Sequence, residues 1–216
     1  MEELSLLAWR AASLRATRPR VVYLKSARPE YVIYTDAATS TAMLAAVIVD
    51  VASFGGDPIF ESVIAEEADK VWFGIFSETN LIYGLEMLAV IATMFVLRKF
   101  HSGRNVVFYV DNLNTKDSLV RGYSDSPAID RLIKIFRAFV QSSGACVWIE
   151  HVPGTRNVAD LPTRGAQLTL PRKASLSFGI LSILSSCVMN AENSQEYFRF
   201  YGTHTPAEGE RMVLAQ

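Results

Sequence analysis

The sequence predicts an α/β domain, and three observations carry that expectation. Short apolar strands with glycine-containing turns, YVIYTDAA, AMLAAVIVDVAS, PIFESVIA and a further VWFGIF, read as a β-meander. A long apolar helical pattern comes next. After it VVFYVD is continuously apolar, the texture of a strand buried on both faces.

Taken in order, residues 1–30 form a basic arm or linker. Arg10, Arg15, Arg18, Arg20, Lys25 and Arg28 occur with no acid between Glu3 and Glu30, which suits a solvated face or an arm that touches phosphates. Leu4, Leu7, Ala8, Ala11 and Leu14 recur at helical spacing and predict a short amphipathic helix ending before Pro19. The meander follows, turning at Phe54-Gly55-Gly56-Asp57-Pro58. From Thr79 to Phe100, Leu81, Leu85, Leu88, Ala92, Phe95 and Val96 keep a 3.6-residue period, and Arg98, Lys99 and Gly103 suit a helix C-terminus. VVFYVD leads into a helical stretch to Val120 and a turn at Arg121-Gly122-Tyr123. Ser126-Pro127 opens a further helix, Ala128 to Ser142, with Ile129, Leu132, Ile133, Phe136, Ala138 and Val140 on its apolar side. Cys146 to His151 is the last strand, and Val152-Pro153-Gly154-Thr155-Arg156-Asn157 loops to a terminal turn or helix at Asp160-Leu161-Pro162. The domain therefore spans 31–165. Residues 166–216 are a C-terminal extension whose FGILSILSSCVM is expected to form a helix that packs back.

A chain of 216 residues that is 50% hydrophobic can bury one substantial core, which excludes disorder as its main state. No apolar run approaches the ~20 residues that span a bilayer, so no membrane association is expected. The start shows no basic segment leading into an uninterrupted apolar stretch, and Cys146 and Cys187 alone give neither a disulfide framework nor a thiolate zinc site. An intracellular compartment, cytoplasm or nucleus, is the expectation. The net charge of −1 means that any nucleic-acid contact must come from a local patch.

Four acids stand where an acid is unusual. Asp36 follows the apolar strand YVIYT, Asp111 ends VVFYV, and Asp160 opens the last element. Glu86 is the only charged residue from Thr79 to Leu97; ionised on an apolar helix, it needs a cation, hydrogen-bond donors or a proton of its own. Each also has a plain structural alternative: a strand-end turn for Asp36, an open helix side for Glu86, a helix N-cap for Asp111 and for Asp160. If the two strands are neighbours, all four converge on one sheet edge. Converging carboxylates are stable chiefly around divalent cations, and hard oxygen ligands favour Mg²⁺ or Mn²⁺. Two such ions activate water and stabilise the leaving oxygen in phosphodiester hydrolysis.

Four motifs carry a family resemblance: YTDAATS at Tyr34 to Ser40, Leu85-Glu86, FYVDN at Phe108 to Asn112 with LVRGYS at Leu119 to Ser124, and WIEHVPGTRNVADLPTRG at Trp148 to Gly165. Over roughly Val32 to Gly165 the chain resembles the ribonuclease H domain of retroelement reverse transcriptases. The resemblance implies a ribonuclease H-like fold, a five-stranded mixed sheet with its first three strands antiparallel and helices on its faces. It implies hydrolysis of the RNA strand of RNA·DNA hybrids with two Mg²⁺ ions, Mn²⁺ being an alternative, and a reverse transcriptase polymerase domain as a partner. Asp36, Glu86, Asp111 and Asp160 fall on the family's metal-binding acids. Cellular and retroviral members carry a histidine in a longer loop before the last acid; here the loop is short and His151 sits at the strand end, and it is read as structural.

Arg131, Lys134 and Arg137 form one basic stripe, a solvated face or a phosphate grip. Thr39, Ser40, Asn112 and Asn114 flank the acids and are candidates for binding sugar 2′-OH groups. No GxSxG, HExxH or phosphate loop competes. FYVDN lacks the second acid of a polymerase turn, since Asn112 stands there. The rival reading is a catalytically silent domain of the same fold that binds nucleic acid or protein without cutting.

Overall fold

The computed structural model describes residues 29–51, 59–68, 70–76, 80–96, 103–166, 174–175, 181, 184–185 and 188. Strands β1 (Tyr31–Ala38), β2 (Met43–Asp50), β3 (Ile59–Glu67), β4 (Asn105–Val110), β5 (Cys146–His151) and β6 (Ala174–Ser175) form one sheet in the order β5-β4-β1-β2-β3-β6. Pairing is antiparallel from β1 to β2 and from β2 to β3. It is parallel from β1 to β4, from β4 to β5 and from β3 to β6. The sheet thus has six strands where five were expected. The sixth is the two-residue Ala174–Ser175, which pairs with Ser62 and Val63 from beyond the expected domain end.

Five helices accompany the sheet: α1 (Val71–Ile75), α2 (Leu81–Val96), α3 (Leu113–Arg121), α4 (Pro127–Ser143) and α5 (Asp160–Thr163), with a 3-10 turn at Gly154–Arg156. VWFGIF, expected as a further strand, forms α1. Its aromatic content suits a strand, but Trp72 and Phe76 are four residues apart, are both buried, and stack at 5.5 Å. In a strand, residues four apart share a face but lie roughly 13 Å apart, whereas one helical turn brings them close enough for the rings to stack.

The helix α2 is the centre of the core. Every residue from Gly84 to Met94 is buried, because the helix packs against β1, β2, α3 and α4 together. β2 is buried on both faces: Leu44, Ala46 and Ile48 join the main core, while Ala45 and Val47 meet Ala159 on the other side. At the start of α4, Pro127 occupies the first turn, where its missing N–H costs nothing, and Gly144 ends the helix at φ 65°. Leu181, Leu184, Ser185 and Val188 are helical, and the three apolar ones join the main core. The helix and basic arm expected for residues 1–28, and the turn at 54–58, lie outside the described residues. No helix among the described residues is long and apolar enough to cross a membrane.

Gly84 sits where α1 meets α2, and an added Cβ would fall 2.5 Å from the buried Phe76 ring. In an open helix interior Gly→Ala is stabilising by up to ~1 kcal/mol. Here overpacking against a fixed ring outweighs that gain. Gly84→Ala is expected to destabilise the fold by about 1–2 kcal/mol in urea unfolding; a gain in stability would show that α1 yields freely.

Candidate metal centre

The site grows out of a mismatch in strand length. β1 pairs with β4 only as far as Tyr34↔Tyr109, so Thr35 to Ala38 run on without a strand partner on that side. Backbone groups exposed there must find other partners. Asn157 Nδ2 donates to the Thr35 carbonyl at 2.9 Å, and the Ala37 N–H donates to Glu86 Oε1 at 3.3 Å. Extending the β1–β4 register by two residues sets Asp111 level with Asp36. The strand overhang thus gathers acids from β1, from the end of β4 and from α2.

One carboxylate oxygen each from Asp36, Glu86 and Asp111 lies within 4.8 Å of the other two. Asp36 and Glu86 are 4% and 3% exposed, and Asp111 is half-buried. Glu86 Oε2 is buried and has no hydrogen-bond partner among the described residues. Burial raises the Asp36 carboxyl to about 6; the Thr163 hydroxyl opposes the rise, and the charges of Asp111 and Asp160 add to it. Glu86 is raised well above the usual carboxylate range, first by burial and then by the charges of Asp111 and Asp36. Three carboxylates that offer hard oxygen donors, one of them with a buried oxygen left without a partner, fit a divalent cation such as Mg²⁺ or Mn²⁺ and do not fit a thiophilic ion.

The structural alternatives resolve residue by residue. Asp36 lies within β1, not in a turn, and Glu86 does not sit on an open helix side. Asn112, not Asp111, caps α3, its Oδ1 accepting from the Thr115 N–H at 3.1 Å. Asp111 is thereby left for the cluster. Its carboxylate is approached by the loop after β5, where a Cβ on Gly154 would fall 3.3 Å from Oδ2. His151 Nε2 lies 3.2 Å from the Asp111 carbonyl, a backbone contact.

Asp160 stands apart from the three. It occupies the first turn of α5 without capping it, and its Oδ1 accepts from Arg164 Nε at 2.8 Å. Its charge still reaches Asp36. Two residues carry the site although the sequence reading gave them no role. Thr163, fully buried, places its hydroxyl 2.5 Å from Asp36 Oδ2, and Asn157 anchors its own segment to β1. Their signal in the sequence is their place in NVADLPTR, the Asn-x-Ala-Asp stretch followed by Thr and Arg that belongs to the block carrying the resemblance.

The basic stripe is held by its own chain. Arg131 donates to the Val188 carbonyl, Lys134 pairs with Asp130 at 2.7 Å, and Arg137 donates to the Arg121 carbonyl at 3.3 Å. Thr39 and Ser40 are exposed in the β1–β2 turn. The Asn112 side chain is taken by the cap, while Asn114 is exposed and lines a polar recess of about 260 Å³ with Asn80, Tyr83 and Arg121.

No protein-family model matches the chain, and neither does any curated protein. Among solved structures it is similar to a ribonuclease H1 isolated from compost by a metagenomic approach, at 18% identity and a TM-score of 0.46, covering 64% of this chain and 96% of that one. It is also similar to ribonuclease H1 from the halophilic archaeon Halobacterium salinarum, at 17% identity and a TM-score of 0.39, covering 60% and 88%.

Because Asp36 and Glu86 are raised in the fold, the native chain holds their protons to higher pH than the unfolded chain does. Without divalent ions, stability is therefore expected to fall as pH rises from 3.8 through about 6 for Asp36, with Glu86 extending the loss higher. Binding of a cation opposes this once the acids ionise. At about 100 times its dissociation constant it adds roughly 2.7 kcal/mol, or about 5–10 °C in Tm. Thermal melts with Mn²⁺ or with EDTA should show that shift at pH 7.5 and much less at pH 5; equal shifts at both would contradict the site.

Proposed function

We propose that this chain is a ribonuclease H-like nuclease of retroelement origin, hydrolysing the RNA strand of RNA·DNA hybrids with two divalent ions, Mg²⁺ or Mn²⁺. The observation that carries the reading is the convergence of Asp36, Glu86 and Asp111, with the buried Glu86 Oε2 left without a donor. The order of the acids along the chain supports it: strand, helix, strand and a final turn after the last strand. Bound ions would supply an activated water and stabilise the leaving oxygen.

The chain's own residues set the geometry. Glu86 is fixed by the Ala37 N–H through one oxygen, which leaves the other buried without a hydrogen-bond partner among the described residues. Asp36 on β1 and Asp111 just past the end of the parallel β4 come level when the register is extended, with carboxylate oxygens within 4.8 Å. Asp160 completes a second site at the rim, where it must leave Arg164 to take part. The exposed Thr39, Ser40 and Asn114 are the better placed of the sugar-contact candidates, since Asn112 is committed to its cap. Arg131, Lys134 and Arg137 serve the fold first and grip phosphate only if released from their own partners. A reverse transcriptase polymerase domain is the partner in this reading, and an intracellular compartment its setting.

The test is cleavage of a labelled RNA·DNA hybrid in Mg²⁺ or Mn²⁺ by the natural chain and by Asp111→Asn. RNA-strand cleavage should drop by about 100-fold or more in the variant, beyond the 10–100-fold typical when a residue merely supporting a metal ligand is removed. Hybrid binding without cleavage by the natural chain would overturn the nuclease in favour of a silent scaffold.

A further inference from the structure

We propose that Thr163 is the positioning residue of Asp36, a neutral latch that holds this carboxylate beside Glu86 and Asp111 against their repulsion. The inference deepens the nuclease reading and rests on it for its catalytic consequence. Asp36 faces two other carboxylates within 4.8 Å, and a change of its side-chain rotamer would relieve that contact. What holds it is a hydroxyl donor at 2.5 Å, on a residue with no solvent exposure.

The donor is itself fixed. The Thr163 N–H reaches the Ala159 carbonyl at 3.4 Å, and its own carbonyl accepts from the Thr41 hydroxyl in the β1–β2 turn at 3.2 Å. Six residues earlier Asn157 ties the same segment to the Thr35 carbonyl, one residue before Asp36. The Thr163 hydroxyl also lies 2.9 Å from the Asp160 carbonyl, yet it has one proton to give. A carboxylate is the stronger acceptor, so the proton goes to Asp36 Oδ2. A hydroxyl suits this place better than a cationic side chain would. It orients the carboxylate without cancelling its charge, so the oxygen atoms keep their attraction for an ion.

Thr163→Val keeps the shape and removes the donor; Thr163→Ser keeps the donor and removes a methyl. Three readouts separate the cases: the crystal position of the Asp36 carboxylate, Mn²⁺ affinity by calorimetry, and hybrid cleavage as a function of metal concentration. Thr163→Val should leave a folded protein in which the Asp36 oxygen moves away from Glu86 and Asp111. Its Mn²⁺ affinity should fall by about 10-fold and its cleavage at limiting metal by 10–100-fold. Thr163→Ser should recover to within about 3-fold of the natural chain. Should Thr163→Val fail to fold, Thr163→Ser against Thr163→Ala isolates the same hydroxyl. An unmoved Asp36 in Thr163→Val, or a serine variant as impaired as the valine one, overturns the latch. If the natural chain neither binds Mn²⁺ nor cuts, the nuclease reading fails, and the crystal position of Asp36 still decides the latch.

Discussion

Everything near the end of β1 is arranged around a repulsion. At a separation of 4.8 Å and an effective dielectric near 20, each pair of ionised carboxylates among Asp36, Glu86 and Asp111 is unfavourable by about 3.5 kcal/mol. Hydrogen bonds to a charged group return about 1.5–3 kcal/mol each. Asp36 has one from Thr163, and the Ala37 N–H is shared between Glu86 and Asp36. Two such bonds do not offset three repulsive pairs plus the burial of two of the groups, so the cluster needs protons or a cation. Near neutral pH it is a place built to attract positive charge.

The architecture supplies that place by leaving a strand incomplete. Had β4 continued alongside β1 to Ala38, the carbonyl of Thr35 and the N–H of Ala37 would have closed a ladder, and no side chains would have been drawn in. Because the pairing stops at Tyr34, those groups recruit Asn157 and Glu86 instead. One recruit comes from the segment after β5, the other from the most deeply buried helix in the described chain. The same unmet backbone valence therefore fixes both the inner wall and the outer rim of the site. The rigidity of α2, enclosed over eleven consecutive residues, makes Glu86 the part least able to move away.

Some of this was readable from residues alone. Glu86 was legible because it is the one charge in a long apolar run, and burial of that run forces the question of its partner. Asp36 and Asp111 were legible as acids at the ends of apolar strands, but their shared level depends on the β1–β4 register, which no local pattern encodes. Asn112 and Asp111 stand next to each other, and both are good capping residues; only the backbone geometry decides that Asn112 takes the cap. α1 misled because aromatic residues favour strands, while the deciding fact, a shared pocket for Trp72 and Phe76, is tertiary. β6 was illegible for a related reason. Two residues carry no period, and their pairing with β3 is a long-range contact.

The fourth acid is the contrast that makes the first three intelligible. Asp160 and Arg164 are four residues apart and meet at the surface, with 32% and 73% of their side chains exposed. Such a solvent-exposed pair is weak and opens readily. Its importance lies in where the charge is placed: Asp160 acts on Asp36 but is neutralised by a cation of its own, whereas the inner three have none among the described residues. The site is therefore polarised, with a buried half that keeps an unmet demand for positive charge and a rim half that meets it weakly with an exposed guanidinium partner. A ligand that brings two positive charges would meet these halves unequally. At the buried acids it would compete with protons, and at the rim it would compete with Arg164.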